Sequence, residues 1–305
     1  MLRLRVGIGA TAGTVIASRR IERGGYVRLE AGTASHTGRI RTSNQDSVGL
    51  VDGLYVVADG MGGYRGGEVA SAEAVAAMLA VFDRRDRAGL VAAVRSANRT
   101  ILEKTVTRPD LSGMGTTLCA LAVVSSASGD EVLAVANIGD SRVYRFAAGE
   151  LVQVSDDHSL VADLMRAGEL SAEEAAQHPQ RNILTRALGI EADPVIDSWE
   201  LEPVLGDRYL LCSDGLFNEL DDGRLAEVLA AGTVQESADL LVDEAVENGG
   251  HDNVTVLVIE VVAGPEAREG RRSAVPAARS ERSTHVRGAA EEGRIAFGTA
   301  LAMAA

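Results

Sequence analysis

Five acidic residues carry the chemical signal of this sequence. Asp59 stands in LYVVADG, Asp140 in VANIGDSR, Asp214 in LLCSDG and Asp252 in GGHDNVTVLVIEV, while Asp46 lies in GRIRTSNQDS. Asp59, Asp140 and Asp214 each follow an apolar run and adjoin Gly60, Gly139 or Gly215; Asp252 stands just before such a run. A carboxylate at the mouth of a buried strand is unfavourable unless it is paired or holds a cation. A single aspartate there usually forms a turn or caps a helix. Several at equivalent strand ends differ, because strand ends can converge on one rim, where carboxylates repel unless a cation neutralises them. A donor set made only of oxygen selects hard ions, Mg²⁺ or Mn²⁺, over Zn²⁺.

Neighbouring residues fit the same chemistry. Gly60 lets a backbone carbonyl approach an ion with no Cβ in the way. Arg41, five residues before Asp46, has the planar fork that holds a phosphate, provided both residues flank one loop at that rim. Taken alone it reads as a solvated surface arginine. The MGGYRGGE run is like a phosphate-cradling loop but lacks the Gly-Lys-Ser/Thr ending of a nucleotide-binding loop, so nucleotide binding is not expected. His36, His158 and His178 are scattered without metal-ligand spacing. His251, beside Asp252, reads as an exposed loop residue.

Strands must carry these aspartates to their places. Runs at 26–33, 54–58, 116–124, 131–138, 142–146, 208–212 and 253–262 are short, rich in β-branched residues and bounded by Gly, Asp or Asn, which reads as strands. Apolar residues at helical spacing predict helices over 68–82, 90–105, 160–167, 171–177, 222–230 and 234–248. Ser171 and Glu174 have the spacing of a capping box. Helices are too few between the strands for an alternating β-α-β sheet, so an antiparallel α+β architecture is expected.

Composition sets the outer limits. The chain has 305 residues, 46% apolar and 24% charged, which suits a globular domain. Aromatic residues make up only 3%, so Val, Leu, Ile and Ala must build the core. The net charge of −14 is uneven: +4 over 1–30, −20 over 31–262 and +2 over 263–305. An acidic middle argues against nucleic-acid binding. No stretch approaches the ~20 apolar residues needed to cross a bilayer. The ends, 1–26 and 263–305, read as disordered extensions flanking a domain over 27–262. Cys119 and Cys212 sit inside apolar runs and read as buried, unpaired thiols of a reducing compartment.

Taken in order, RTSNQDS, VVADGMGG, GMGTTL, GDSR, HPQRNILTRALG, DRYLLCSDG and GGHDNVTV resemble the bacterial branch of the metal-dependent PPM/PP2C-type protein serine/threonine phosphatases over about residues 27–262. The resemblance implies a β-sandwich of two antiparallel sheets flanked by helices on both sides. It implies hydrolysis of phosphoserine and phosphothreonine in proteins by a metal-activated water, with no phosphoenzyme. Asp59 would bridge two Mn²⁺ or Mg²⁺ ions, with the Gly60 carbonyl on one, Asp214 and Asp252 on the other, and Asp46 acting through water. Asp140 and Asn182 match positions beside a third metal in bacterial members. Arg41 matches the phosphate-binding arginine, so Arg41, Asp59 and Asp214 are the expected catalytic residues. The segment 156–189 would include a mobile flap beside the site.

The same resemblance implies phosphorylated proteins as partners, with a cognate serine/threonine kinase, and a cytoplasmic monomer. Two departures stand out. Met61 follows Asp59-Gly60 where eukaryotic relatives place a histidine, and Gln45 stands where some relatives carry glutamate. The alternative is a catalytically inactive relative serving as a binding module. Such relatives usually lose a metal aspartate, whereas Asp59, Asp140, Asp214 and Asp252 are all kept. A cysteine-nucleophile phosphatase is excluded, because Ser125 and Asn218, not arginines, stand six residues after the two cysteines. The GDxHG and GNHE motifs of the other common two-metal phosphatases do not occur.

Overall fold

In the computed structural model, residues 5–7, 15–17, 27–62, 66–83 and 85–263 are described. Strand β5 (Leu54–Met61) contains the logic of the architecture. Tyr55 and Val57 face one way, Leu54, Val56 and Ala58 the other, and all five are buried. A strand that is apolar on both faces must be covered on both.

Among the described residues the strands form two antiparallel sheets. The first has the order β1 (Arg5–Gly7), β4 (Asp46–Val51), β5, β7 (Leu118–Ser125), β8 (Glu131–Ile138) and β11 (Asp197–Leu201). A two-residue strand, β6 (Gly115–Thr116), pairs with the end of β5. The second sheet runs β10 (Glu150–Gln153), β9 (Arg142–Ala147), β12 (Arg208–Cys212), β13 (Val254–Ala263), β3 (Arg28–His36) and β2 (Val15–Ala17). Between them, Tyr55, Val57, Leu121 and Val135 meet Leu29, Tyr209, Leu211 and Leu257. Helices α1 (Gly66–Val81) and α2 (Arg87–Thr107) pack on the outer face of the first sheet. Helices α6 (Asp222–Leu229) and α7 (Val234–Asn248) cover the second. The α+β sandwich expected from the sequence is therefore the observed fold. With tyrosines as its largest fully buried side chains, the core depends on many aliphatic side chains worth roughly 1.5–3 kcal/mol each.

Several helix starts carry side-chain caps, and α2 begins three residues earlier than the periodicity predicts. The Asp86 side chain accepts the Gly89 N–H at the head of α2. Between β10 and β11 lie α3 (Leu160–Arg166) and α4 (Ala172–Ala176), and the Ser171–Glu174 pair forms both bonds of its capping box. Both cysteines are buried and free. Cys119 belongs to the inter-sheet layer and Cys212 to the layer under α6 and α7, so they lie in different cores.

The structure also adds what sequence periodicity misses. β4 begins with an aspartate and contains Gly49, where a Cβ would lie 2.5 Å from Val75 Cγ1; helix α1 packs too close there for a side chain. Strands β10 and β11 are half polar. The segment 1–26, read as disordered, contributes the short edge strands β1 and β2; its other residues, and the tail from 264 on, lie outside the described residues. No helix among the described residues is long and apolar enough to cross a membrane.

Candidate functional site

Strand register explains how distant residues meet. Asp46 opens β4 and pairs directly with Asp59 near the end of β5. Asp214 emerges just beyond β12 and begins a single helical turn, α5 (Asp214–Phe217). Asp252 precedes β13, whose Val254 pairs with His36 at the end of β3. β8 ends at Ile138, and the Gly139–Asp140 turn follows with φ +100° at Gly139, a region open to glycine.

Two side chains fasten the sheets together at this rim. Ser213 Oγ donates to Asp46 Oδ2 at 2.8 Å and accepts the Thr255 N–H at 3.0 Å. Asn253 Oδ1 accepts the Gln45 N–H at 2.8 Å, while its amide group donates to the carbonyls of Thr37 and Ser43 at 2.8 and 3.0 Å. Neither was singled out from the sequence. The available signal was positional: each is a polar residue directly beside a strand-end aspartate, in SDG and in HDN.

Asn253 thereby holds the loop that carries Arg41. Arg41 Nη2 donates to Asp252 Oδ2 at 2.7 Å, and the arginine side chain remains 55% exposed. That bond raises the guanidinium pKa, and the charges of Asp252, Asp214 and Asp59 act in the same direction. Arg41 and Asp46 thus do flank one loop at the rim.

The carboxylates behave as one electrostatic group. Asp46, Asp59, Asp140 and Asp214 keep partial solvent contact, yet protein surrounds them so densely that burial is the first cause of a raised pKa in all four. Asp46 is pushed up to about 7 and Asp214 to about 6. Asp59 and Asp140 lie well above the usual carboxylate range. Repulsion adds to burial: Asp59 feels Asp46, Asp214, Asp140 and Asp252, and Asp140 feels Asp214 and Asp157.

Three features fit this group to hard divalent cations. Every donor is an oxygen. Asp46 Oδ1 is buried and has no hydrogen-bond partner. At Gly60 a Cβ would lie 2.1 Å from the Gly67 carbonyl oxygen and 2.6 Å from that of Gln45, so only glycine lets the end of β5 meet the start of α1. Among the described residues no three His, Cys, Asp or Glu side chains are already drawn into a closed ligand set. The carboxylates act on one another across the rim, as mutually repelling charges do.

Other candidates fall elsewhere. The Gly66–Gly67 pair of the MGGYRGGE run opens α1, with Gly67 packed on Gly60 and Gly66 on Met114; residues 63–65 lie outside the described residues. His251 is exposed, with Nδ1 2.7 Å from Glu219 Oε1. His36 and His178 each accept a local backbone N–H, from Gly38 and Gln180. Asn182 is exposed in the segment after α4. His158 is the exception among the described histidines, being almost wholly buried.

Comparison with known proteins agrees with this geometry. The family model described as protein phosphatase 2C matches residues 35–240. The serine/threonine protein phosphatase PstP of Mycobacterium tuberculosis is 41% identical over 239 residues, 77% of this chain and 45% of that protein, so the chain spans about half the length of this relative. The serine/threonine phosphatase stp of Listeria monocytogenes is 38% identical over 73% of this chain and 92% of its own length. The crystal structure of the PstP catalytic domain in complex with two manganese ions is matched with a TM-score of 0.68 at 40% identity, over 77% of this chain and 99% of that one. The structure of Stp1 from Staphylococcus aureus gives a TM-score of 0.71 at 30% identity, over 81% of this chain and 99% of that one.

Proposed function

The chain belongs to the protein phosphatase 2C family, and from that footing we propose that it hydrolyses phosphoserine and phosphothreonine in proteins, with Mn²⁺ or Mg²⁺ bound at the aspartate rim. One observation carries this reading: half-buried carboxylates from separate segments form a single repelling group beside an exposed arginine. Asp59, the Gly60 carbonyl, Asp214 and Asp252 would hold two ions, Asp46 would assist through water, and Asp140 would help hold a third. When bound, the ions neutralise these carboxylates and supply a water acidic enough to be a nucleophile near neutral pH.

The chain's own groups do the rest. Ser213 aims Asp46, and Asn253 and the Arg41 bond steady Asp252. Arg41 has further N–H donors in its planar fork, with which it binds the phosphoryl oxygens and offsets charge as the transition state forms. Neither cysteine serves as nucleophile, because burial keeps both thiols protonated, Cys212 being pushed up to about 12. No phosphoenzyme is required. Met61, at the end of β5, has no proton to give, so another acid protonates the leaving oxygen.

The domain at 27–262 carries the reaction, acting as a cytoplasmic monomer on phosphoproteins made by a cognate serine/threonine kinase. The test is hydrolysis of a phosphothreonine peptide by the purified chain, with Mn²⁺ and with EDTA. Phosphate release that requires the metal supports the reading. A folded, Mn²⁺-loaded protein with no release on any phosphopeptide would overturn it in favour of an inactive binding module.

A further inference from the structure

His158 was dismissed from sequence because its spacing fits no metal, and its surroundings give it another task. Its ring is buried and meets the turn that presents Asp140. The Gly139 N–H donates to His158 Nδ1 at 3.1 Å, and the His158 N–H donates to the Gly139 carbonyl at 3.0 Å. Because Nδ1 is an acceptor, a neutral ring carries its proton on Nε2. Nε2 then donates to Asp197 Oδ2 at 2.9 Å, at the head of β11. Arg186 Nη1 stands beside both groups, 3.1 Å from His158 Nε2 and 3.3 Å from Asp197 Oδ1, so the Gly139 N–H on Nδ1, with the shorter Asp197 contact, is what sets the tautomer. The arrangement, a backbone N–H held by an imidazole whose tautomer a carboxylate fixes, is one that orients a site from just outside it.

The residues around His158 extend the grip to the other flank of Asp140. Asp157 takes Arg142 through three contacts of 2.7–3.1 Å, and the Arg142 guanidinium lies 3.6 Å from the centre of the Phe217 ring, in the turn that begins with Asp214. Asn137 donates to the Gly139 and Asp156 carbonyls at 3.3 and 3.2 Å. Consecutive residues 156–158, at the root of the 156–189 segment, therefore hold both sides of the Asp140 turn. The same root is tied into that segment by the Thr185 N–H on the His158 carbonyl at 2.8 Å and the Leu160 N–H on the Ile183 carbonyl at 2.8 Å.

We propose that His158 is a positioning residue for this reaction: through Gly139 it sets the Asp140 carboxylate, and it links that setting to the segment beside the site. The proposal rests on the phosphatase reading above. Its test uses the full chain with three variants, His158→Leu, His158→Asn and Asp197→Asn. An asparagine carbonyl can accept the Gly139 N–H; leucine cannot. Three measurements are made: ring ¹⁵N shifts of His158, hydrogen exchange at the Gly139 amide, and kcat and KM on a phosphothreonine peptide with Mn²⁺. The wild-type ring shows a proton on Nε2 and none on Nδ1. His158→Leu lowers kcat by about 10–100-fold with little change in KM, and the Gly139 amide exchanges faster. His158→Asn restores slow exchange and most of kcat. Asp197→Asn alters the ring shifts and lowers kcat less than His158→Leu does. A folded His158→Leu with wild-type exchange and kcat, or a His158→Asn as impaired as leucine, overturns the proposal. Should the leucine variant not fold, unchanged ring shifts and unchanged kcat in Asp197→Asn overturn it instead. Wild-type protein without Mn²⁺-dependent turnover would sink the phosphatase reading, while ring shifts and amide exchange would still decide whether the lock exists.

Discussion

Replacing Asp214 with Asn should stabilise the metal-free fold while removing activity. Burial, then repulsion from Asp252, moves the Asp214 pKa from 3.8 to about 6. A carboxyl raised in the folded state favours folding less as pH climbs from its unfolded value towards its folded one, and the loss persists above both. The window is therefore about pH 4 to 6. Taken whole, that displacement corresponds to about 3 kcal/mol at pH 8. Partial solvent contact and sharing with neighbouring carboxylates reduce the gain to about 1–2 kcal/mol. The substitution is nearly isosteric, and an amide oxygen can still accept from Asn218 Nδ2, 3.2 Å from Asp214 Oδ2. In EDTA at pH 8, D214N should melt about 2–8 °C above wild type, and the gap should close near pH 4. Mn²⁺ should raise the wild-type Tm more than that of the variant, and turnover of a phosphopeptide should fall about a hundredfold or more. Scanning calorimetry at several pH values reads the first result. A D214N that melts no higher than wild type at pH 8, or by the same margin at pH 4, would refute the reasoning that these carboxylates form one repelling group.

Three further expectations follow from the rim. Arg41→Ala should raise KM for a phosphopeptide about tenfold with a smaller effect on kcat, since the arginine binds phosphate; an unchanged KM in steady-state kinetics would reduce it to a surface residue. Gly60→Ala would set a methyl 2.1 Å from the Gly67 carbonyl oxygen, so denaturant unfolding should show a loss above about 2 kcal/mol; a loss no larger than that of an exposed glycine would mean the close approach is relieved cheaply. Asn253→Ala deletes three hydrogen bonds between the 37–45 loop and the residue just before β13, with an expected loss of about 2–4 kcal/mol and weaker Mn²⁺ binding by calorimetry; wild-type affinity would show that the loop is held by other means.

Much of this was legible from residues alone. Runs such as LYVVA and LLC are apolar at every position, so any fold had to bury both faces, and helices at 3.6-residue spacing were available to cover them. An aspartate at the end of such a run needs a charge partner wherever the chain goes. Polar strands left no such mark. Asp46–Val51 and Asp197–Leu201 become strands only because neighbours pair with them, and nothing local in Val15–Ala17 announces a pairing with β3.

The primary structure by itself determined which atoms were on offer: oxygens at strand ends, glycines beside them, an arginine in a loop and two thiols sunk in apolar runs. Tertiary structure alone decided which of them share a space. Antiparallel register put Asp46 opposite Asp59, and stacking of the two sheets let Ser213 and Asn253 stitch their rims together. It also turned His158, an isolated histidine in the chain, into the buried partner of Gly139. The physical reason is one of range: burial and propensity act on neighbours along the chain, whereas charge repulsion and hydrogen bonding depend on distance through space, which only folding sets.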